Sequence, residues 1–240
     1  MQLALLFFFV LGFSCNASFT QSEGLDSSLC SFGSFLSALD TFVRVAKLPS
    51  SLNYTSNGVN IQKVVNDDLQ EAYLSGGADA ARERFFSICS AKQQMFQQML
   101  PSNLKNCIDA TTFLSRGLSA STSYALKKFF ERLGYQCGPA FSTYLHNMDR
   151  FMFAKVNMTA SLKTCSKAFL HGMQTTDETV FCRAMRDYGL CQANVYLIAS
   201  NNMELAYSVC ETTRIGEVVT LPLCSTSDYY CSVELIEQQN

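Results

Sequence analysis

The chain has 240 residues, of which 48% are hydrophobic and only 16% charged, and its formal net charge is −2. That length is ample for a hydrophobic core. The low charge and the lack of a basic cluster argue against a nucleic acid as partner.

The first segment is an apolar run over residues 3–13. Its length is typical of the core of a secretory signal peptide and is too short to span a bilayer. Small residues after the run predict cleavage behind Ala17, so we expect residues 1–17 to be a signal peptide and residues 18–240 the mature chain. No later apolar run has the length of a membrane span, and the polar ending Glu237–Asn240 does not suit a lipid anchor. These features predict a secreted, extracellular protein.

The first half of the mature chain has the apolar spacing of amphipathic helices. Apolar side chains at steps of three and four predict a helix over residues 25–45. The same spacing predicts helices over residues 60–74 and 78–100, separated by the pair Gly76-Gly77. Residues 49–60 lack this spacing, and we predict a loop or linker there.

The second half continues with shorter helices. The stretch Thr175–Glu178 has the pattern of a capping box and predicts a helix start, and Gly189 predicts the end of that helix. Asn202 is the predicted cap of the last helix. Strand-like alternation is limited to the short segment Glu217–Leu221, and the loop between Cys224 and Cys231 is predicted to be irregular. Four further helices are predicted around residues 104–114, 126–133, 141–152 and 162–169.

Ten cysteines remain once the predicted signal peptide is removed. An even set in a secreted chain indicates disulfides, and the spacing leaves the pairing open. The fold class that follows is all-α, a disulfide-stapled bundle of roughly seven to nine helices. We expect one domain over residues 18–240, because the first cysteine must find its partner beyond the loop 49–60. The ten are Cys30, Cys89, Cys107, Cys137, Cys165, Cys182, Cys191, Cys210, Cys224 and Cys231.

Catalytic and metal-binding patterns are missing from the sequence. The chain has two histidines, His146 and His171, and no Cys-x2-Cys pair, so we expect no metal site and no cofactor. Ser119 lies in a Gly-Leu-Ser-Ala-Ser stretch that lacks the closing glycine of a nucleophile elbow, and a helix cap explains it better. We therefore expect no catalytic residue and no enzymatic activity.

Modification sites are suggested by three Asn-x-Ser/Thr sequons. Asn16 falls in the predicted signal peptide, whereas Asn53 lies in the predicted loop and Asn157 between two predicted helices, so we expect N-glycans on the latter two. Ser75, followed by glycine and flanked by acidic residues, has the pattern of a glycosaminoglycan attachment site, but a helix end followed by a turn is the better explanation.

Phenylalanines and methionines are concentrated in the middle of the chain. Core packing explains such stripes, and the alternative is a cavity for an apolar ligand. The residues that would line such a cavity are Phe129, Phe130, Phe141 and Met148.

One stretch resembles a known family. Phe181–Cys191, together with Cys89 and Cys107-Ile108 upstream, resembles the helical cysteine-rich secreted domains of nematodes, including the chondroitin-proteoglycan-type domain. The resemblance implies an extracellular interaction or matrix role and no catalytic residues. Together these observations predict a secreted non-enzymatic protein that binds an extracellular protein or matrix component. The alternative is a carrier of an apolar small molecule such as a lipid.

Overall fold

The structure, a computed structural model, describes residues 30–56, 60–99, 104, 106–225 and 230–238. These residues form ten α-helices and one 3-10 turn, without a β-strand, so the predicted all-α, disulfide-stapled fold is confirmed. The predicted signal peptide, Asn16 and the start of the first predicted helix lie outside the described residues. The helices are α1 (Phe32–Val45), α2 (Ile61–Gln97), α3 (Ala110–Ser115), α4 (Ala120–Gln136), α5 (Phe141–His146), α6 (Met148–Asn157), α7 (Thr159–Gly172), α8 (Glu178–Ser200), α9 (Met203–Val218) and α10 (Val233–Glu237).

Side-chain caps determine where several helices begin. Ser31 caps α1, so this helix begins later than residue 25. The predicted cap Asn202 is confirmed, because its Oδ1 accepts the Leu205 N–H at 2.9 Å. The predicted capping box does open α8, but the cap is Asp177, whose own N–H is held by the Thr175 hydroxyl at 3.1 Å.

The predicted break at Gly77 is confirmed. Helix α2 is continuous in hydrogen bonding, yet Gly77 has φ 72° and ψ −161°, a conformation that favours glycine. The predicted single helix 141–152 is instead divided at Asn147 into α5 and α6.

The predicted helix end at Gly189 is wrong, since α8 continues through it to Ser200. A Cβ at Gly189 would lie 3.2 Å from the Cys210 Sγ, so the glycine allows α8 and α9 to approach closely. The predicted strand Glu217–Leu221 is also wrong, because α9 extends to Val218 and a turn follows.

The largest hydrophobic cluster lies between α1, α2, α3 and α4. Aromatic rings dominate it: the Phe42 and Phe129 centroids are 5.8 Å apart, and those of Phe35 and Phe113 are 5.2 Å apart. The loop 49–56 joins this cluster through the buried Tyr54, whose hydroxyl donates to the Pro49 carbonyl at 3.0 Å. This part of the predicted linker is therefore packed against the helices.

A second cluster joins α2 to α5, α6, α8 and α9. Tyr144 is at its centre, and its buried hydroxyl contacts the Ser208 carbonyl at 3.1 Å and the Thr212 hydroxyl at 2.7 Å. Two smaller clusters surround the disulfides near the C-terminus. None of the described helices is long and apolar enough to cross a membrane.

The ten cysteines pair as five disulfides, with Cα–Cα distances between 5.0 and 6.0 Å. Two bridges lie before residue 138 and three after residue 164. They are Cys30–Cys107, Cys89–Cys137, Cys165–Cys191, Cys182–Cys224 and Cys210–Cys231.

Candidate functional site

An open groove of about 890 Å³ lies along the second half of α2. The Cys89–Cys137 disulfide lies in its wall and ties α2 to the end of α4. We call it the apolar groove; its lining residues are Phe86, Cys89, Ser90, Lys92, Gln93, Phe96, Gln97, Met99, Leu104, Cys137 and Phe141.

Phe86 is the most exposed aromatic side chain of the groove, with 59% of its surface accessible. Its ring lies 6.2 Å from the ring of Phe141, which in turn stacks on the buried Phe85 at 5.8 Å. The three rings extend the core of the protein out to its surface. An apolar patch of this kind marks a binding surface more often than a scattered single side chain does.

Lys92 brings a positive charge to the groove. Its Nζ lies 4.6 Å from the centroid of the Phe96 ring, a cation–π contact. Burial lowers the pKa of Lys92, and in the described part of the chain no carboxylate forms an ion pair with it. The groove therefore offers an apolar surface beside a half-buried cation.

The structure separates the four side chains proposed to line an apolar cavity. Phe129 and Phe130 are buried in the first cluster, and Met148 is buried in the second. Phe141 alone among the four lies in the groove. The sequence did contain a signal for the groove. Phe85 and Phe86 are adjacent on one helix and point in different directions, so when one ring faces the core the other is directed towards the surface.

The residues weighed for catalysis belong to three different helices. His146 and His171 are exposed, on α5 and at the end of α7. Ser119 caps α4, accepting the Thr122 N–H at 3.2 Å, as the sequence predicted. Within the described residues, no group of three or more His, Cys, Asp or Glu side chains could hold a metal ion.

The asparagines of the two sequons within the described residues, Asn53 and Asn157, are both exposed. Asn53 is in the loop before α2, where its Oδ1 accepts the N–H and the hydroxyl of Thr55 at 3.0 and 2.8 Å. Asn157 ends α6, and its Nδ2 donates to the Phe153 carbonyl at 3.2 Å. Either position leaves room for a glycan.

Comparison with known proteins finds no matching family model, no similar curated protein and no similar solved structure.

Proposed function

We propose that this chain is a secreted, non-enzymatic extracellular binding protein whose apolar groove holds a helical segment of a protein partner. The observation that carries the proposal is the groove itself, with Phe86 exposed beside Phe141 and a half-buried lysine at its side. Grooves of this type bind the apolar face of an amphipathic helix, whose anchor residues recur at steps of three and four.

The compartment is supported by the disulfides. Five bridges in one chain persist in an oxidising environment and are rare in the cytosol. The apolar segment 3–13 adds the expected export signal, and the resemblance to secreted nematode domains fits a role in the extracellular matrix.

The chemistry of the groove defines the partner segment. Apolar side chains would contact Phe86, Phe96 and Phe141, and an acidic side chain would pair with Lys92. That pairing would favour the charged form of Lys92 and oppose the effect of burial, which lowers its pKa. The preferred segment is therefore an amphipathic helix with one carboxylate beside its apolar face.

A second candidate function, carriage of an apolar small molecule, is favoured by the volume of the groove. Ligand pockets are typically about 300–1,000 Å³, and the groove falls within that range. A carboxylate head group would then pair with Lys92 in place of an acidic side chain.

A fluorescent apolar probe, 8-anilinonaphthalene-1-sulfonate, tests the groove in the full chain secreted from eukaryotic cells. We expect Phe86→Ser to reduce probe binding about tenfold, because one face of the groove is removed. Leu170→Ser is the matched control, since Leu170 is 63% exposed on α7 and does not line the groove. Equal probe binding by both variants would contradict the groove as the binding surface.

Native mass spectrometry of the same secreted protein separates the two candidates. An unliganded chain supports the protein-binding function. An apolar molecule that co-purifies with the chain and is lost in Phe86→Ser would instead support the carrier.

Export and glycosylation are tested on the same material. We expect the chain to reach the medium without residues 1–17, and Asn53→Gln and Asn157→Gln each to remove one glycan, seen as two separate mass losses. Retention inside the cell with Met1 intact would contradict the extracellular function.

A further inference from the structure

The expected mature chain begins with residues 18–29, which lie outside the described residues and which we call the N-terminal segment. The segment is attached close to the apolar groove. Cys30 follows it and is bonded to Cys107, with the two Cα atoms 5.0 Å apart. The Ile108 N–H donates to the Leu104 carbonyl at 3.0 Å, so Leu104 and Cys107 lie on one helical turn, about 5–6 Å apart. Because Leu104 lines the groove, the chain enters the described structure about 10 Å from the groove wall.

Helix α1 begins after this segment. Ser31 has an extended backbone, with φ −78° and ψ 97°, and its Oγ accepts the Ser34 N–H at 3.4 Å, so it is the N-cap of α1. The spacing of Leu25 and Leu29 predicted that both would continue the apolar stripe of this helix. The start of α1 at Phe32 leaves these two side chains without that place.

The N-terminal segment has the chemistry that the proposed function assigns to an occupant of the groove. It carries two acidic side chains, Glu23 and Asp26, and contains no lysine or arginine. Leu25 and Leu29 are four positions apart, which is the spacing of one helix face, and Asp26 is next to this pair. Lys92 of the groove has no ion-pair partner among the described residues. The segment therefore complements the groove in charge and in apolar spacing.

The length of the segment suits the length of the groove. Phe86 and Gln97 line the groove on α2 and are about 16 Å apart along the helix axis. The twelve residues of the segment span about 18 Å as a helix and about 40 Å when extended, so the segment reaches along the groove in either form. A tether this short keeps the segment at an effective concentration in the millimolar range, at which even a weak contact is mostly formed.

We propose that the N-terminal segment of the same chain occupies the apolar groove, with Leu25 and Leu29 on its aromatic wall and Asp26 paired with Lys92. The inference rests on the proposed function, because it assigns a second occupant to the groove that the protein partner uses. The partner must displace the segment before it can bind. Its apparent affinity is therefore reduced in proportion to the fraction of molecules whose groove is open.

Release of the segment is tested in the full secreted chain with the probe 8-anilinonaphthalene-1-sulfonate. The double variant Leu25→Ser, Leu29→Ser should bind the probe about fivefold more tightly, because the groove is then open in all molecules. Removal of two apolar side chains cannot itself create a site for an apolar probe, so the increase reports the release. Leu36→Ser, at an exposed leucine of α1 outside the groove, is the control and should leave the affinity unchanged. An unchanged affinity in the double variant would overturn the proposal.

Phe86→Ser separates this proposal from the proposed function. Added to the double variant, it should reduce the raised probe affinity about tenfold, because one face of the open groove is removed. If Phe86→Ser lowers probe binding with and without the double variant, but the double variant alone has no effect, the groove is a binding surface and the segment is not its occupant. If Phe86→Ser has no effect in either chain, the groove is not a binding surface, and both proposals are overturned.

A zero-length cross-link tests the contact between the segment and the groove directly. A carbodiimide condenses a carboxylate and an amine that touch each other into an amide, and the water that is lost converts the reagent into its urea. We expect mass spectrometry of the digested protein to find Asp26 joined to Lys92, and Lys92→Arg to abolish this product. Cross-links from Asp26 to the exposed Lys167 of α7 at an equal rate would overturn the assigned contact.

A mixture of isotopically labelled and unlabelled chains shows which copy supplies the segment. The mixture is cross-linked in dilute solution, and the joined peptides are analysed by mass spectrometry. We expect both halves of each joined pair to carry the same label, because the segment and the groove belong to one chain. Pairs with one labelled and one unlabelled half would place the segment of one copy in the groove of another and would overturn the proposal.

Discussion

The N-terminal part of the protein, residues 30–137, and the C-terminal part, residues 141–225 and 230–238, are stabilised differently. The first encloses one large cluster of aromatic side chains with two disulfides. The second packs on α2 through the second cluster and has three disulfides, and among the described residues the small cluster around Cys182–Cys224 has one other buried member, Met185. Packing is the main stabilising term where the clusters are large, and covalent cross-links add to it near the C-terminus, where the two clusters are small.

Among the described cysteines no disulfide joins the two parts, which contact each other through the second cluster and through ion pairs. Helix α9 packs on α4, and Glu217 of α9 pairs there with Lys128 and Arg132. A Cβ at Gly216 would lie 1.9 Å from the Arg132 Nε, so the glycine gives the guanidinium room to reach this carboxylate. This polar contact, made by a buried acid beside a small residue, adds to the second cluster, through which α2 packs on α5, α6, α8 and α9.

The largest effect is expected in the aromatic cluster. Phe42→Ala should lower the free energy of unfolding by about 3–5 kcal/mol, because a fully buried ring is removed and a cavity remains. Denaturant unfolding under non-reducing conditions measures this loss. Leu36→Ala on the exposed side of α1 is the control, with an expected change within about 0.5 kcal/mol. If Phe42→Ala lowered the free energy of unfolding by less than the loss of the Cys182–Cys224 disulfide does, packing would not be the main stabilising term of the N-terminal part.

The second largest loss of stability is expected when one C-terminal disulfide is removed. The double variant Cys182→Ala, Cys224→Ala should cost about 2–4 kcal/mol, because the unfolded chain gains freedom over a separation of 42 residues. Hydrogen exchange should show the loss of protection concentrated in α8 and the 3-10 turn Pro222–Ser225. A loss of protection spread evenly over α1 and α4 would contradict the division into two differently stabilised parts.

The contact between the parts is tested by Glu217→Gln. We expect a loss of about 2 kcal/mol, less than the roughly 3–5 kcal/mol of a fully buried pair, since Lys128 and Arg132 each keep 22% of their side-chain exposure. Thermal unfolding measures the loss. Glu211→Gln is the matched control, because Glu211 is also buried and forms its ion pair with Arg214, three residues along the same helix. An equal loss of stability in Glu217→Gln and Glu211→Gln would show that an ion pair between the parts stabilises the protein no more than one within a single helix.

Local signals in the sequence predicted much of this fold. The features that they did not predict are determined by contacts between residues far apart in the sequence. The break at Gly77 and the cap Asn202 depend on the residue itself and its nearest neighbours, so both were predictable. Gly189 has the same local pattern as a helix end. A glycine is needed there for another reason, because a side chain would crowd the sulfur of Cys210, which lies 21 positions further along. Residues 217–221 alternate like a strand, yet the packing of α9 on α4 overrides that preference.

The candidate sites show the same limit. Phe86 was detectable as the second of two adjacent phenylalanines, and Phe141 was selected for its apolar character. The approach of Cys137 to Cys89 in the wall of the groove gave no signal, because the spacing of the cysteines leaves their pairing open.

The smallest effect concerns a contact inside the N-terminal part, between α3 and α4. Burial tends to raise the pKa of Asp109, but hydrogen bonds from Lys127 and Thr111 outweigh it and lower the value from 3.8 to about 2. The carboxylate is therefore more stable in the folded state, and its contribution is complete above about pH 4 and disappears as the pH falls towards 2. We expect Asp109→Asn to cost about 1–2 kcal/mol at pH 7, a value reduced for solvent screening because Asp109 is 32% exposed.

The measurement is the difference in unfolding free energy between wild type and Asp109→Asn from pH 7 to pH 2. Asparagine keeps the cap of α3 and removes only the charge, so the difference should shrink to zero over the acid range. Asp79→Asn is the control, because Asp79 is 89% exposed beside Arg82 and should show a small, pH-independent change. A difference for Asp109→Asn that persists unchanged at pH 2 would mean that the cap geometry, rather than the charge, is lost. The losses of unfolding free energy for Asp109→Asn and Glu217→Gln can then be compared. We expect the partly exposed ion pair within one part to contribute less than the more buried ion pairs between the two parts.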